Sequence, residues 1–116
     1  MLRTMLKSKI HRARVSEANL YYTGSITIDS KLMKAADILP GEKVEVFNLN
    51  NGSRIETYAI AGRAGSGTVC LNGAAARGAC VGDEIIVVSY VLIEDVKARS
   101  IKPKIVYVNP RNRIKD

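Results

Sequence analysis

Two short runs of strand-forming residues meet at Asn50-Asn51-Gly52, and this pattern, repeated along the chain, constrains the fold more than any other feature. Lys43 to Leu49 alternate polar and apolar residues, as a half-buried strand does. Asn and Gly tolerate the positive φ of a tight turn. Arg54 to Ile60 then returns as a second strand, completing a hairpin. Glu84 to Ile93, rich in β-branched residues, follows Gly82-Asp83; Ile101 to Val108 is a further candidate, whose Pro103 points to an edge or an irregular start. One helix is predicted, capped by Asp29 or Ser30, with Leu32, Met33 and Ala36 as its apolar face and Pro40-Gly41 at its end. A short helical turn is expected around Ala74 to Arg77. Many short strands with little helix indicate a mainly β protein, a compact small barrel.

At 116 residues the chain is expected to form a single domain, residues 1–116. Its longest apolar runs, such as Ile85 to Val88, are too short to cross a bilayer, and its N-terminus lacks the apolar core of a secretion signal. No membrane association and a cytoplasmic location are therefore expected. Two cysteines, Cys70 and Cys80, are too few for a disulfide framework or a zinc site, so no metal is expected and both read as buried thiols.

The net charge of +7 is concentrated at the ends: residues 1–16 carry five positive charges and no negative one, and residues 97–116 carry seven and one. From about Asn109 the chain reads as a loose basic tail. A basic β-barrel could instead be a nucleic-acid-binding module, which is the alternative function to weigh. Stacking on single strands needs aromatics interleaved with basic residues, and here aromatics are only 5 %, with Phe47 the sole phenylalanine and no tryptophan. Tyr21 and Tyr22 stand next to Gly24-Ser25, outside any basic run. A nucleic-acid partner is accordingly not expected.

The most informative segment is Ile10 to Ile26. Gly24-Ser25 taken alone is an ordinary turn, His11 alone a structural histidine, and Tyr21 and Tyr22 ordinary strand residues. A Gly-Ser bond nevertheless has chemistry of its own. The serine hydroxyl can attack the preceding carbonyl carbon and shift the acyl group from nitrogen to oxygen. Glycine leaves the approach open and can hold a strained backbone. The ester can then lose its acyl group by β-elimination, and hydrolysis of the resulting dehydroalanine leaves a pyruvoyl group and ammonia. Such a keto group is an electron sink.

His11, Val15, Ala18, Leu20, Tyr22, Gly24 and Ser25, followed by Arg54 to Ile60 and by Leu71-Asn-Gly-Ala-Ala-Ala-Arg77 with Gly82-Asp83, closely resemble the aspartate 1-decarboxylase family. The match is collinear from the first residues to about Val108. The resemblance implies a six-stranded double-psi β-barrel with short helices, assembled as a homotetramer with active sites between subunits. It implies cleavage between Gly24 and Ser25 into fragments 1–24 and 25–116, and conversion of L-aspartate to β-alanine and CO2 in the pantothenate (coenzyme A) pathway. Ser25 would become the pyruvoyl cofactor and Schiff-base electrophile, and Tyr58 the proton donor. Thr57 matches a residue that assists cleavage and later touches substrate. Arg54 and Lys9 match cations that hold a substrate carboxylate, Arg as a bidentate clamp and Lys as a point charge. Asn72-Gly73-Ala74-Ala75 matches a substrate-binding loop, whose small residues let backbone N–H groups approach an anion. His11 and Tyr22 match pocket residues near the cleavage point. Without the resemblance, Arg54 and Lys9 are solvated strand charges, Thr57 a β-branched strand residue and residues 72–75 a plain loop.

Overall fold

The computed structural model describes residues 1–115. Its strands are β1 (Leu2–Arg14), β2 (Glu17–Asn19), β3 (Ser25–Asp29), β4 (Lys43–Asn48), β5 (Arg54–Gly62), β6 (Val69–Asn72), β7 (Glu84–Glu94) and β8 (Lys104–Tyr107). Helix α1 (Ser30–Ala35) follows β3, a 3-10 turn (Gly73–Gly78) follows β6, and helix α2 (Asp95–Ala98) follows β7.

The strands lie side by side in the order β2-β6-β3-β5-β4-β7-β1-β8. β2, at one end of this order, is joined covalently to β1, next to the other end, because β1 runs on into β2. β1 pairs antiparallel with β7, Ser16 N–H then donates to the Val69 carbonyl at 2.8 Å, and β2 pairs parallel with β6. One continuous segment thus closes the wall into a barrel. Among the described residues the strand elements number eight. Counting β1 and β2 as the single segment they are, and β8 as a strap laid parallel on β1, leaves six strands in the barrel wall.

Alternation sets the core. Val44 and Val46 of β4, Ile26 and Ile28 of β3, Leu71 of β6, and Ile85 and Val87 of β7 point inward with Ile10, Ala13 and Val15. Leu32 and Met33 of α1 plug the barrel beside them. The Asp29 carboxylate caps α1 by accepting from Lys31 N–H at 2.9 Å. It also accepts from Gly65 and Gly67 N–H, tying β3 to the turn that leads into β6. Burial works to raise this carboxyl, but the three backbone donors and the Arg113 charge overcome it and hold it below the usual carboxylate range. The helix ends at Ala36, before Pro40 is reached.

Two expectations fail. The C-terminal segment is not loose up to residue 115. Val108 bridges Ile114, and Asn112, at φ 60°, is buried. Its side-chain amide donates to the Arg14 and Gly67 carbonyls at 2.8 Å each and its oxygen accepts from Arg14 N–H at 2.7 Å. Three satisfied hydrogen bonds offset the ordering entropy of a polar segment with little apolar surface to bury. Cys80 is exposed, because it sits in the turn before Gly82 rather than in a strand; Cys70 is buried as expected.

Candidate active site

The approach to β3 is fixed by Gly73. Its φ is +59°, and a Cβ built there would lie 2.7 Å from both Cα and N of Gly24 and 2.8 Å from the Tyr22 carbonyl oxygen. Only glycine fits that conformation and that proximity. Gly24 has no positive φ, and a Cβ on it would meet its nearest neighbours at 3.9 Å. The steric need for glycine therefore lies at 73, across from the Gly24-Ser25 bond, rather than at 24.

Ser25 opens β3 opposite Asn72 of β6. Its side chain points away from the Ile26 and Ile28 core, yet it is fully buried. Ser25 Oγ donates to the Thr23 carbonyl at 3.2 Å and accepts from Asn72 Nδ2 at 2.9 Å. The second Asn72 N–H goes to Thr27 Oγ1 at 2.9 Å, and the Cys70 thiol donates to Asn72 Oδ1 at 3.1 Å. Burial, reinforced by the Glu17 carboxylate, pushes the Cys70 thiol up, so it keeps the proton it donates.

On its other edge β3 runs parallel to β5, with Ile26 beside Ala59. Extending this register by one residue puts Ser25 beside Tyr58, and Gly24, the residue before β3, shares a cleft lining with Thr57. Adjacent strands are roughly 4.8 Å apart, so these are neighbours. Gly24, Thr57, Tyr58, Ala74 and Ala75 line one cleft of about 400 Å³ with Ile55 and Glu56. A hollow of about 450 Å³ lies between Arg14, Gly82 and Arg111, but its lining includes no carboxylate, histidine or tyrosine.

The sequence-assigned residues divide into two groups. Gly24, Ser25, Thr57, Tyr58, Asn72, Gly73, Ala74 and Ala75 converge within one chain. The side chains of Arg54, Lys9 and His11 do not reach the same point, and Tyr22 reaches it with its backbone carbonyl. Arg54 is four residues from Tyr58 along β5, roughly 13 Å, and stacks 4.0 Å above the Phe47 ring. Lys9 and His11 lie on β1, three strands from β5 and so roughly 14 Å across the sheet. Lys9 pairs with Val88 and Ile105, and the His11 ring packs edge-on to Tyr107 at 5.5 Å. Tyr22 is largely exposed in the loop before Gly24.

Cys70 and Thr27, which touch Asn72, were not legible as site residues. Cys70 reads as a core thiol in an apolar run and Thr27 as a β-branched strand residue. The available signal was parity, since 25/27 and 70/72 each share a strand face, but it has meaning only once β3 and β6 are known to pair.

Comparison with known proteins identifies the family. A family model described as aspartate decarboxylase matches residues 1–115. The chain is 59 % identical over 113 residues to an aspartate 1-decarboxylase of Thermoanaerobacter pseudethanolicus, covering 97 % of each. It is 56 % identical over 115 residues to one from Syntrophus aciditrophicus, covering 99 % of each. Against one from Listeria monocytogenes serovar 1/2a it is 57 % identical over 114 residues, covering 98 % of this chain and 90 % of the relative.

Proposed function

Because the chain belongs to the aspartate decarboxylase family, we propose that it converts L-aspartate to β-alanine and CO2 with a pyruvoyl group made from its own Ser25. This activity would serve the pantothenate (coenzyme A) pathway. The observation that carries the reading is the register that sets Ser25 beside Tyr58, with Gly24 and Thr57 in one cleft lining, under the Gly73 turn.

Maturation starts with attack of Ser25 Oγ on the Gly24 carbonyl carbon. The new C–O bond forms as the C–N bond breaks, and the hydroxyl proton passes to the Ser25 nitrogen. Thr57, which shares a cleft lining with Gly24, offers its hydroxyl to polarise that carbonyl. Loss of the Ser25 Cα proton then expels Oγ with its electron pair as the Gly24 carboxylate. Water adds to the dehydroalanine left behind and ammonia departs. Ser25 suits this chemistry because it is shielded from bulk water and its hydroxyl is already held. The pyruvoyl group supplies a carbonyl that takes up the electron pair left as CO2 departs. Tyr58 delivers the proton that replaces CO2, since a phenol keeps its proton until a strong base forms next to it. The backbone N–H groups of residues 73–75 face anionic substrate; Arg54, held on the Phe47 ring away from Ser25 within one chain, would meet it from a neighbouring subunit.

Lys9 and His11 do not line the cleft of Gly24, Thr57 and Tyr58 within one chain, so the homotetramer of this reading brings them from a neighbouring subunit. Tyr21, Tyr22 and Tyr107 leave aromatic surface uncovered on the single chain, in keeping with such packing.

The decisive experiment is an intact mass under denaturing conditions. Fragments 1–24 and 25–116 are expected, the larger without a free amino terminus and reactive toward carbonyl reagents. Ser25→Ala should remain one inactive chain. Decarboxylation of aspartate by an uncut wild-type chain would overturn the reading.

A further inference from the structure

We propose that Cys70 and Thr27 are positioning residues for self-cleavage, acting through the orientation of the Asn72 carboxamide. The inference rests on the cleavage reading above and adds a control that lies behind it. Asn72 is buried and must satisfy both ends of its amide. One orientation gives its two N–H groups the Ser25 and Thr27 hydroxyl oxygens and gives its oxygen the Cys70 thiol as donor. Turned over, the amide would aim N–H groups at sulfur, a weak acceptor, and lose the thiol donor. Residue 70 therefore decides which end of Asn72 meets Ser25 Oγ, and an N–H is the end it selects.

That donor suits one step better than the other. During the acyl shift Oγ is the nucleophile, and an N–H on its lone pair gives it no added reactivity. During elimination the Ser25 Cβ–Oγ bond breaks, its electron pair stays on Oγ as part of the Gly24 carboxylate, and the Cα proton leaves to a base. An N–H already aimed at Oγ stabilises charge where it develops. Cys70 and Thr27 are thus assigned to the elimination half of maturation.

The test follows fragment formation in freshly made wild-type chain, Cys70→Ala, Cys70→Ser and Thr27→Val. Hydroxylamine is the probe for ester, because it attacks the Gly24 ester carbonyl and frees a 25–116 fragment that begins with an intact serine. Cys70→Ala and Thr27→Val should mature about tenfold more slowly, the scale of one net hydrogen bond, and should accumulate hydroxylamine-sensitive ester. Cys70→Ser restores a donor and should recover most of the rate without ester build-up. Unfolding midpoints of the uncut chains establish that each variant is folded. If the wild type matures and Cys70→Ala keeps pace with it, or if Cys70→Ser is as slow as Cys70→Ala, the positioning role is overturned while the cleavage reading stands. A wild type that never cuts overturns both.

Discussion

Ser25 and Tyr58 stand side by side on two parallel strands, each one residue before the paired Ile26 and Ala59. The nucleophile and the proton donor of the proposed reaction therefore face the same side of the sheet. Tyr58→Phe should cut normally, since its hydroxyl is assigned only to the proton delivered after CO2 leaves. Its kcat should fall by about 10²-fold or more, the usual scale for a general acid. Normal maturation followed by wild-type turnover would remove Tyr58 from the proton transfer.

Thr57 is assigned by the proposal to the earlier event, the cleavage. Thr57→Val preserves the branched shape and removes the hydroxyl from the cleft it shares with Gly24. It should fold with an unchanged unfolding midpoint and remain largely full length on a denaturing gel. Cutting at the wild-type rate would leave Thr57 as a strand residue only.

Gly73→Ala asks whether the turn itself holds the scissile segment. The added methyl would enter space occupied by the Gly24 backbone and the Tyr22 carbonyl, at a positive φ that disfavours alanine. A loss of about 1–3 kcal/mol is expected in chemical denaturation of the uncut chain, together with blocked cleavage. Gly24→Ala, with ordinary contact distances around its methyl, should cost less stability. Equal losses at the two positions would contradict this steric assignment.

The separation of Lys9 from Ser25 gives a test of shared sites. Ser25→Ala cannot form the cofactor, and Lys9→Ala lacks the cation. Co-expressed, the two should regain part of the activity, because mixed assemblies contain sites that join an intact Lys9 to a processed Ser25. Arg54→Ala alone should mainly raise KM for aspartate, as loss of a carboxylate partner equally strong in ground and transition states would. Absence of any recovery in the mixture would place Lys9 outside the site.

Asp29 provides a pH signature. Its folded carboxyl is held below the usual range, so the stability it adds is fully present above its unfolded value near 4 and is lost as pH falls through the folded value. Asp29→Asn leaves a single oxygen for three backbone donors and should cost about 2 kcal/mol at neutral pH. The gap between variant and wild type should close in acid. A gap that is constant from pH 7 to pH 2 would show that charge plays no part.

The sequence is most legible where one physical rule acts alone. The hairpin of β4 and β5 emerges from alternation because one of its faces meets the core. β1 is hidden because its alternation slips twice, between Leu6 and Ser8 and between Ile10 and Ala13, and because Ser8 is buried through a 2.6 Å hydrogen bond to Ser89 rather than by apolarity. The ordered C-terminal segment is hidden for a related reason: Asn112 secures it with polar contacts that no hydrophobic pattern announces. At the site, the family resemblance pointed to Ser25, Thr57 and Tyr58, and pairing between strands distant in sequence was needed to see that Cys70 and Thr27 stand behind Asn72.

The segment that closes the barrel is also the segment that ends at Gly24, where the cut is proposed. β1 and β2 both lie before Gly24, so a cut chain keeps its wall only while a 24-residue peptide stays docked along β7 and β6. Folding of the uncut chain is an intramolecular event. After the cut, unfolding separates two molecules, and recovery becomes a second-order encounter whose yield depends on concentration. Cleavage as proposed would thus turn a one-chain fold into one that is maintained mainly by never coming apart.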